Sequence, residues 1–134
     1  MLQSKTWRAL LLAVTAVAFW GCGGISAELR AGQRGARQEG LATYYSPSLI
    51  GHQTASGERY DPKQFTAAHP AIPFGTHVQI VRTDGVHRAV IVRINDRCAG
   101  RKKIIDLSEA AARQLDMIRA GLVPVRLEVV APPP

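Results

Sequence analysis

Three short polar segments hold most of the side chains able to do chemistry: Thr54-Ala-Ser-Gly-Glu-Arg-Tyr-Asp61, Thr66-Ala-Ala-His69 and Asn95-Asp96-Arg97. Carboxylates, a histidine and hydroxyls with so few apolar neighbours belong on surface loops, where recognition and catalysis concentrate. Glu58 follows Ser56-Gly57, a turn in which glycine lets the backbone present a carboxylate. Asp96 stands just beyond an apolar run, between Asn95 and Arg97. Two acids in unlike surroundings suit glycosidic cleavage, one protonated to donate to the leaving oxygen and one ionised. Arg97 would keep Asp96 charged or grip a substrate carboxylate, which leaves Glu58 as the better general-acid candidate. The plain alternative is a pair of solvated turn carboxylates.

His69 precedes Pro70 and is pushed toward an extended backbone. It either tunes Glu58 or acts as a structural hydrogen-bonder. His52, His77 and His87 lack metal-ligand spacing, so neither a metal nor a cofactor is expected. The two cysteines, Cys22 and Cys98, make no disulfide framework. Cys98 reads as a buried lone thiol. A Cys22–Cys98 bridge or a Cys98/His69/Asp96 nucleophile are the alternatives, and no local pattern supports them. Arg101-Lys102-Lys103 is a solvated basic turn or a contact to an anionic glycan or envelope.

The elements that must position these residues are mostly strands. Leu41–Tyr45, His77–Arg82, Arg88–Ile94, Lys103–Ile105 and Pro124–Val130 are β-prone, with Val125, Leu127 and Val129 on one face. Asp84-Gly85 predicts a tight hairpin turn with both residues at positive φ. One helix is predicted from Ser108 to about Leu115: Ser108 caps it, Glu109 favours its positive end, and Glu109–Arg113 is an i,i+4 pair. Asp116 would end it in the left-handed region. Roughly six short strands and one short helix predict an all-β fold, a small closed barrel.

At the N-terminus, Lys5 and Arg8 precede the apolar stretch Ala9–Trp20, which is shorter than the about 20 residues of a membrane span and reads as a secretory signal. Gly21-Cys22 predicts a lipoprotein signal over residues 1–22 with Cys22 lipidated; cleavage after Ala27 is the alternative. Residues 23–39 read as a linker, 40–130 as the domain and 131–134 as a tail. The net charge of +7 favours an anionic surface or polymer. Nucleic acid is excluded as a partner, because no basic face interleaved with aromatics exists.

Gly40-Leu-Ala-Thr-Tyr-Tyr45, Thr54–Asp61, Thr66–His69, Pro73-Phe-Gly-Thr76, Val92–Arg97 and Ile104–Ala112 together resemble the rare lipoprotein A family, in the family's order. The resemblance implies a six-stranded double-psi β-barrel, like that of expansins. It implies a lytic transglycosylase that cleaves the β-1,4 bond between N-acetylmuramic acid and N-acetylglucosamine in peptide-free peptidoglycan strands. The muramic C6 hydroxyl then serves as nucleophile and leaves a 1,6-anhydro end. Glu58, His69 and Asp96 correspond to the family's catalytic positions, with Thr54, Ser56, Tyr60 and Arg97 lining the groove. Asp106 is expected to be structural, ahead of Ser108. A cell-envelope, periplasmic location with a lipid anchor on Cys22 follows. Cys98-Ala99-Gly100 departs from the family's usual Gly-Pro, and Asp116 from its glycine. No C-terminal glycan-binding domain of the kind longer relatives carry is expected. A non-catalytic, expansin-like glycan-binding module remains the competing reading.

Overall fold

The computed structural model describes residues 24–134; the signal stretch and Cys22 lie outside the described residues. The elements run α1 (Ala27–Arg30), β1 (Arg37–Tyr44), a 3-10 turn (Pro47–Leu49), β2 (Thr66–Ala68), β3 (His77–Arg82), β4 (Ala89–Asp96), β5 (Ile105–Leu107), α2 (Glu109–Gln114) and β6 (Val123–Val130). The six strands close into a barrel in the order β1-β5-β2-β4-β3-β6, as the strand pattern and the resemblance implied. Two neighbouring pairs, β1/β5 and β2/β4, are parallel. The other four are antiparallel.

Alternation along the long strands explains the core. Val78 and Ile80, then Val90, Val92 and Ile94, then Val125, Leu127 and Val129 all turn inward and are buried. Their neighbours along each strand are intermediate or exposed, except Asn95, which is buried beside Ile94. Helix α2 packs on the core with Ala111 and Ala112, joined by its C-cap Leu115, all fully buried. Ser108 caps it by accepting from the Ala111 N–H, as expected. Asp116 follows at φ 53, the single non-glycine residue at positive φ among the described residues.

Three expectations need correction. Residues 24–39 are not a free linker. Leu29 is 1% exposed in the barrel core, Ile25 packs against that core, and the Gly35 N–H donates to the Val129 carbonyl. Strand β1 accordingly begins at Arg37 rather than near Gly40, pairing Arg37 with Glu128. The leucine had no periodic partners in sequence, because its partners are on distant strands.

The β3/β4 hairpin forms without the tight turn predicted. The ladder ends at Val81 and Ala89, the Arg82 N–H donates to the Arg88 carbonyl, and only Gly85 is at positive φ. Asp84 instead turns its carboxylate onto Arg82, whose guanidinium also reaches the carbonyls of Leu115 and Asp116 at the end of α2. A tertiary contact has overridden local turn preference. Finally, α2 is accompanied by two further short helical segments, α1 and the 3-10 turn.

The role of residues 24–36 can be tested directly. Leu29→Ala should cost about 2–4 kcal/mol, as for a leucine removed from a packed core, read as a lowered midpoint in denaturant unfolding. A change below about 0.5 kcal/mol, the level of a surface substitution, would return this segment to the status of a linker.

Candidate functional site

The site is built on the C-terminal end of β4, where its pairing with β2 shifts. Thr66 pairs with Arg93 and Ala67 with Ile94, but Ala68 pairs with Asp96, so Asn95 is an extra residue. Such a bulge re-aims the side chains beside it. Ala68 also pairs with Asp106 on β5, so the buried Ala68 lies between two aspartates.

Three donors converge on Asp96. The Tyr45 hydroxyl donates to Oδ2 at 2.6 Å, and the backbone N–H groups of Ala55 and Arg97 donate to Oδ1 at 2.8 Å each. Tyr45 is held from behind: its ring meets Tyr60 edge-on at 4.5 Å between centroids. Tyr60, 4% exposed, in turn accepts a hydrogen bond from the Glu109 N–H at the start of α2. Burial first, and then the hydrogen bond to the Asp96 carboxylate, push the Tyr45 phenol far above its ordinary pKa, so it remains a proton donor. Tyr60 is therefore a buried brace for Tyr45.

Glu58 has a different environment. Arg93 grips it bidentately, at 2.6 Å and 2.9 Å, and the Asn95 side-chain amide adds a third bond at 3.2 Å. The Arg93 hydrogen bonds and then the Asn95 bond hold the Glu58 carboxyl below the usual range, against the smaller effect of burial. With 42% of its side chain exposed, Glu58 is a charged group facing solvent. That environment favours the ionised form, whereas the sequence expectation gave Glu58 the protonated role.

The turn that carries Glu58 is tied to the same strand end. The Ser56 N–H donates to the Asn95 carbonyl at 3.2 Å, while Thr54 Oγ1 bonds to Ser56 Oγ at 3.0 Å and to the Glu58 carbonyl at 2.8 Å. Gly57 supplies φ 93 at the apex. Thr54 and Ser56 thus shape the turn, with Thr54 itself buried.

His69 and Arg97 hold the neighbouring loop. His69 is fully buried, and its Nδ1 accepts from the N–H groups of Ala71 and Ile72 at 3.0 Å each. That leaves the proton on Nε2, which donates to Gln38 Oε1 at 2.9 Å. Burial, with the Arg97 charge second, depresses the imidazole to about 4, so it is neutral near pH 7. Arg97 donates to the carbonyls of His69 at 3.1 Å and Ile72 at 2.7 Å and lies over the Phe74 ring at 4.1 Å. Its guanidinium does not pair with the Asp96 carboxylate; Nη1 alone is hydrogen-bonded, the residue is exposed, and its backbone N–H donates to Asp96.

Cys98 and Asp106 complete the surroundings. The Cys98 thiol donates to the Ala68 carbonyl at 3.4 Å, and burial pushes it up to about 11, which disfavours the thiolate at neutral pH. Asp106 is bonded to Thr43 and Lys103 at 2.7 Å each, a structural tie between β1, β5 and the loop before it.

The residues missed in sequence are Tyr45, Arg93 and the Asn95 side chain. A charge inside the apolar run Ala89-Val-Ile-Val-Arg-Ile94 was the available signal for Arg93. Tyr45 had none, since its partner lies 51 residues away.

A closed six-stranded barrel with a tyrosine-bonded aspartate and an arginine-held glutamate at one strand end defines a double-psi β-barrel protein with a two-carboxylate polar site. Residues 37–127 match the double-psi barrel family described as lytic transglycolase, and the chain belongs to that family. It is 47% identical over 95 residues to a probable endolytic peptidoglycan transglycosylase RlpA of Nostoc sp., covering 69% of this chain and 25% of that protein. Against the endolytic peptidoglycan transglycosylase RlpA of Haemophilus influenzae it is 45% identical over 94 residues, covering 69% and 32%. The chain thus spans about a quarter to a third of the length of these relatives. Among solved structures it resembles the Streptomyces papain inhibitor, with TM-score 0.60 and 26% identity over 73% of this chain and 97% of that one. It also resembles the Clavibacter michiganensis expansin, with TM-score 0.57 and 25% identity over 74% and 52%.

The buried imidazole makes stability depend on pH. The unfolded chain protonates this histidine near 6.5 and the folded chain near 4, so the unfolded state binds more protons between them. The contribution is complete above about pH 6.5 and is lost as pH falls toward 4, amounting to about 3 kcal/mol. Denaturant unfolding at several pH values should show this loss in the native chain. A His69→Gln variant, less stable at pH 7, should show a correspondingly smaller decline over the same window; an equal decline would mean that His69 is not buried neutral.

Proposed function

We propose that this barrel is an endolytic peptidoglycan lytic transglycosylase, with Asp96 as the acid/base and Glu58 as the fixed negative charge. The observation that carries the assignment is the contrast between the two carboxylates: Glu58 is clamped by a cation, whereas Asp96 meets only neutral donors, two amides and a phenol. Because both amides occupy Oδ1, a catalytic proton on Asp96 belongs on Oδ2, beside the Tyr45 hydroxyl.

The steps balance around that one oxygen. Protonated Asp96 gives its proton to the glycosidic oxygen as the bond from muramic C1 breaks. The resulting Asp96 carboxylate then takes the proton of the muramic C6 hydroxyl as that oxygen bonds to C1. The products are a free 4-hydroxyl on N-acetylglucosamine and a 1,6-anhydro muramyl end, and no water is consumed. Positive charge that develops at the anomeric carbon is favoured by an ionised carboxylate nearby, the part given to Glu58. Family membership and the naming of the relatives as peptidoglycan transglycosylases support this substrate.

A cell-envelope location with a lipid anchor on Cys22 belongs to the same reading. It is supported by the basic-then-apolar order of residues 5–20 ahead of Gly21-Cys22.

Incubation of the full chain with peptide-free glycan strands should release anhydro-muramyl ends detectable by mass spectrometry. Asp96→Asn should abolish them, and Glu58→Gln should lower kcat about 100-fold, the scale of a lost electrostatic group. Strand binding without anhydro product in the native chain would favour the expansin-like alternative. Full activity in Asp96→Asn would remove the acid/base assignment. For the anchor, fatty-acid labelling in cells should mark the native chain and not Cys22→Ala; an unlabelled native chain overturns it.

A further inference from the structure

Two adjoining hollows of about 340 and 710 Å³ lie away from Asp96 and share Leu41 and the loop Arg101-Lys102-Lys103. Lys103 is committed to Asp106. Arg101 and Lys102 are exposed, and among the described residues neither has a carboxylate at ion-pair distance. The acid bordering the first hollow, Glu39, has Arg126 directly opposite it in the β1/β6 register. Beside the two cations stand apolar side chains open to solvent, Leu41 at 37% and Leu122 at 48%. Cations ringed by exposed leucines suit a surface that is anionic at its face and apolar just beneath.

The path of the chain says what that surface is. Ile25 lines the first hollow and packs against the core, so the described chain begins beside this face. Only Gly23 and Gly24 separate Ile25 from Cys22. Three residue steps reach at most about 10 Å, close to the about 8 Å over which a membrane's charge acts at physiological salt.

We propose that the face formed by Ile25, Leu41, Arg101, Lys102 and Leu122 rests on a membrane surface rich in anionic phospholipid headgroups. The proposal rests on the Cys22 anchor assigned above. Arg101 and Lys102 meet headgroup phosphates, while Leu41 and Leu122 enter the boundary below them. The barrel is then held flat against the bilayer instead of swinging on a tether, which fixes its orientation toward the wall.

The test compares the full chain, recovered from cells, with vesicles of phosphatidylcholine alone and of phosphatidylcholine mixed with phosphatidylglycerol. Anchor and leader act alike in native and variant chains, so the difference between them reports the loop alone. Arg101→Gln with Lys102→Gln should weaken association with the anionic vesicles about 30-fold and leave neutral vesicles unaffected. Leu41→Ser with Leu122→Ser should weaken both. Both exchanges are at exposed positions, and unchanged unfolding midpoints would show that the barrel persists. An undiminished preference for anionic vesicles in the Arg101/Lys102 variant overturns the proposal, as does loss of binding to purified glycan strands in place of vesicles. Failure of the anchor reads out separately, as absent fatty-acid label in the native chain.

Discussion

Everything in this structure depends on two three-residue strands, β2 and β5, buried along their whole length between longer neighbours. A buried backbone must find all its hydrogen bonds within the protein. Each short strand therefore pairs on both sides: β5 with β1 and β2, β2 with β5 and β4. Those pairings leave no freedom of register, and the register decides the site. It sets Ala68 against both Asp96 and Asp106, and Thr43 against Asp106, with the shift at Asn95 turning β4 toward Glu58. Ala67 and Ala68 are fully buried, which leaves room for the crowding around them.

On that frame, the two acids acquire opposite characters. Glu58 is fixed by Arg93, a residue on the same strand as Asp96 but on the other side of the bulge. Asp96 is surrounded by neutral donors, one of them a tyrosine braced through Tyr60 to α2. The basic residue nearest in sequence, Arg97, gives its guanidinium to the backbone carbonyls of His69, Ile72 and Asp96 and to the face of Phe74, not to the Asp96 carboxylate. Sequence adjacency thus misleads about charge here: the guanidinium that matters to a carboxylate lies 35 positions from it. His69 follows the same logic, since its neutral ring organises the Ala71–Ile72 turn and reaches back to Gln38 on β1.

The N-terminal segment shows how a polar, glycine-rich composition can conceal structure. Ile25, Leu29 and Ala36 tie residues 25–36 to the core, and backbone bonds to β6 do the rest. Packing of this kind converts a nominal tether into a fixed segment beside the Arg101–Lys103 loop.

The strands His77–Arg82 and Val123–Val130, the helix after Ser108 and the left-handed Asp116 were legible in the chain alone, because alternation, capping and backbone chirality are local. The polar segments around Glu58, His69 and Asp96 were legible as a group for the same reason: their composition cannot serve a core. Closure of the barrel, the bulge at Asn95, the Tyr45–Asp96 bond and the Arg93–Glu58 clamp join residues 27 to 91 positions apart. No short-range pattern encodes those meetings. The amino-acid sequence determined which groups could do chemistry; only the tertiary pairing of two buried strands decided which acid meets a cation and which meets neutral donors.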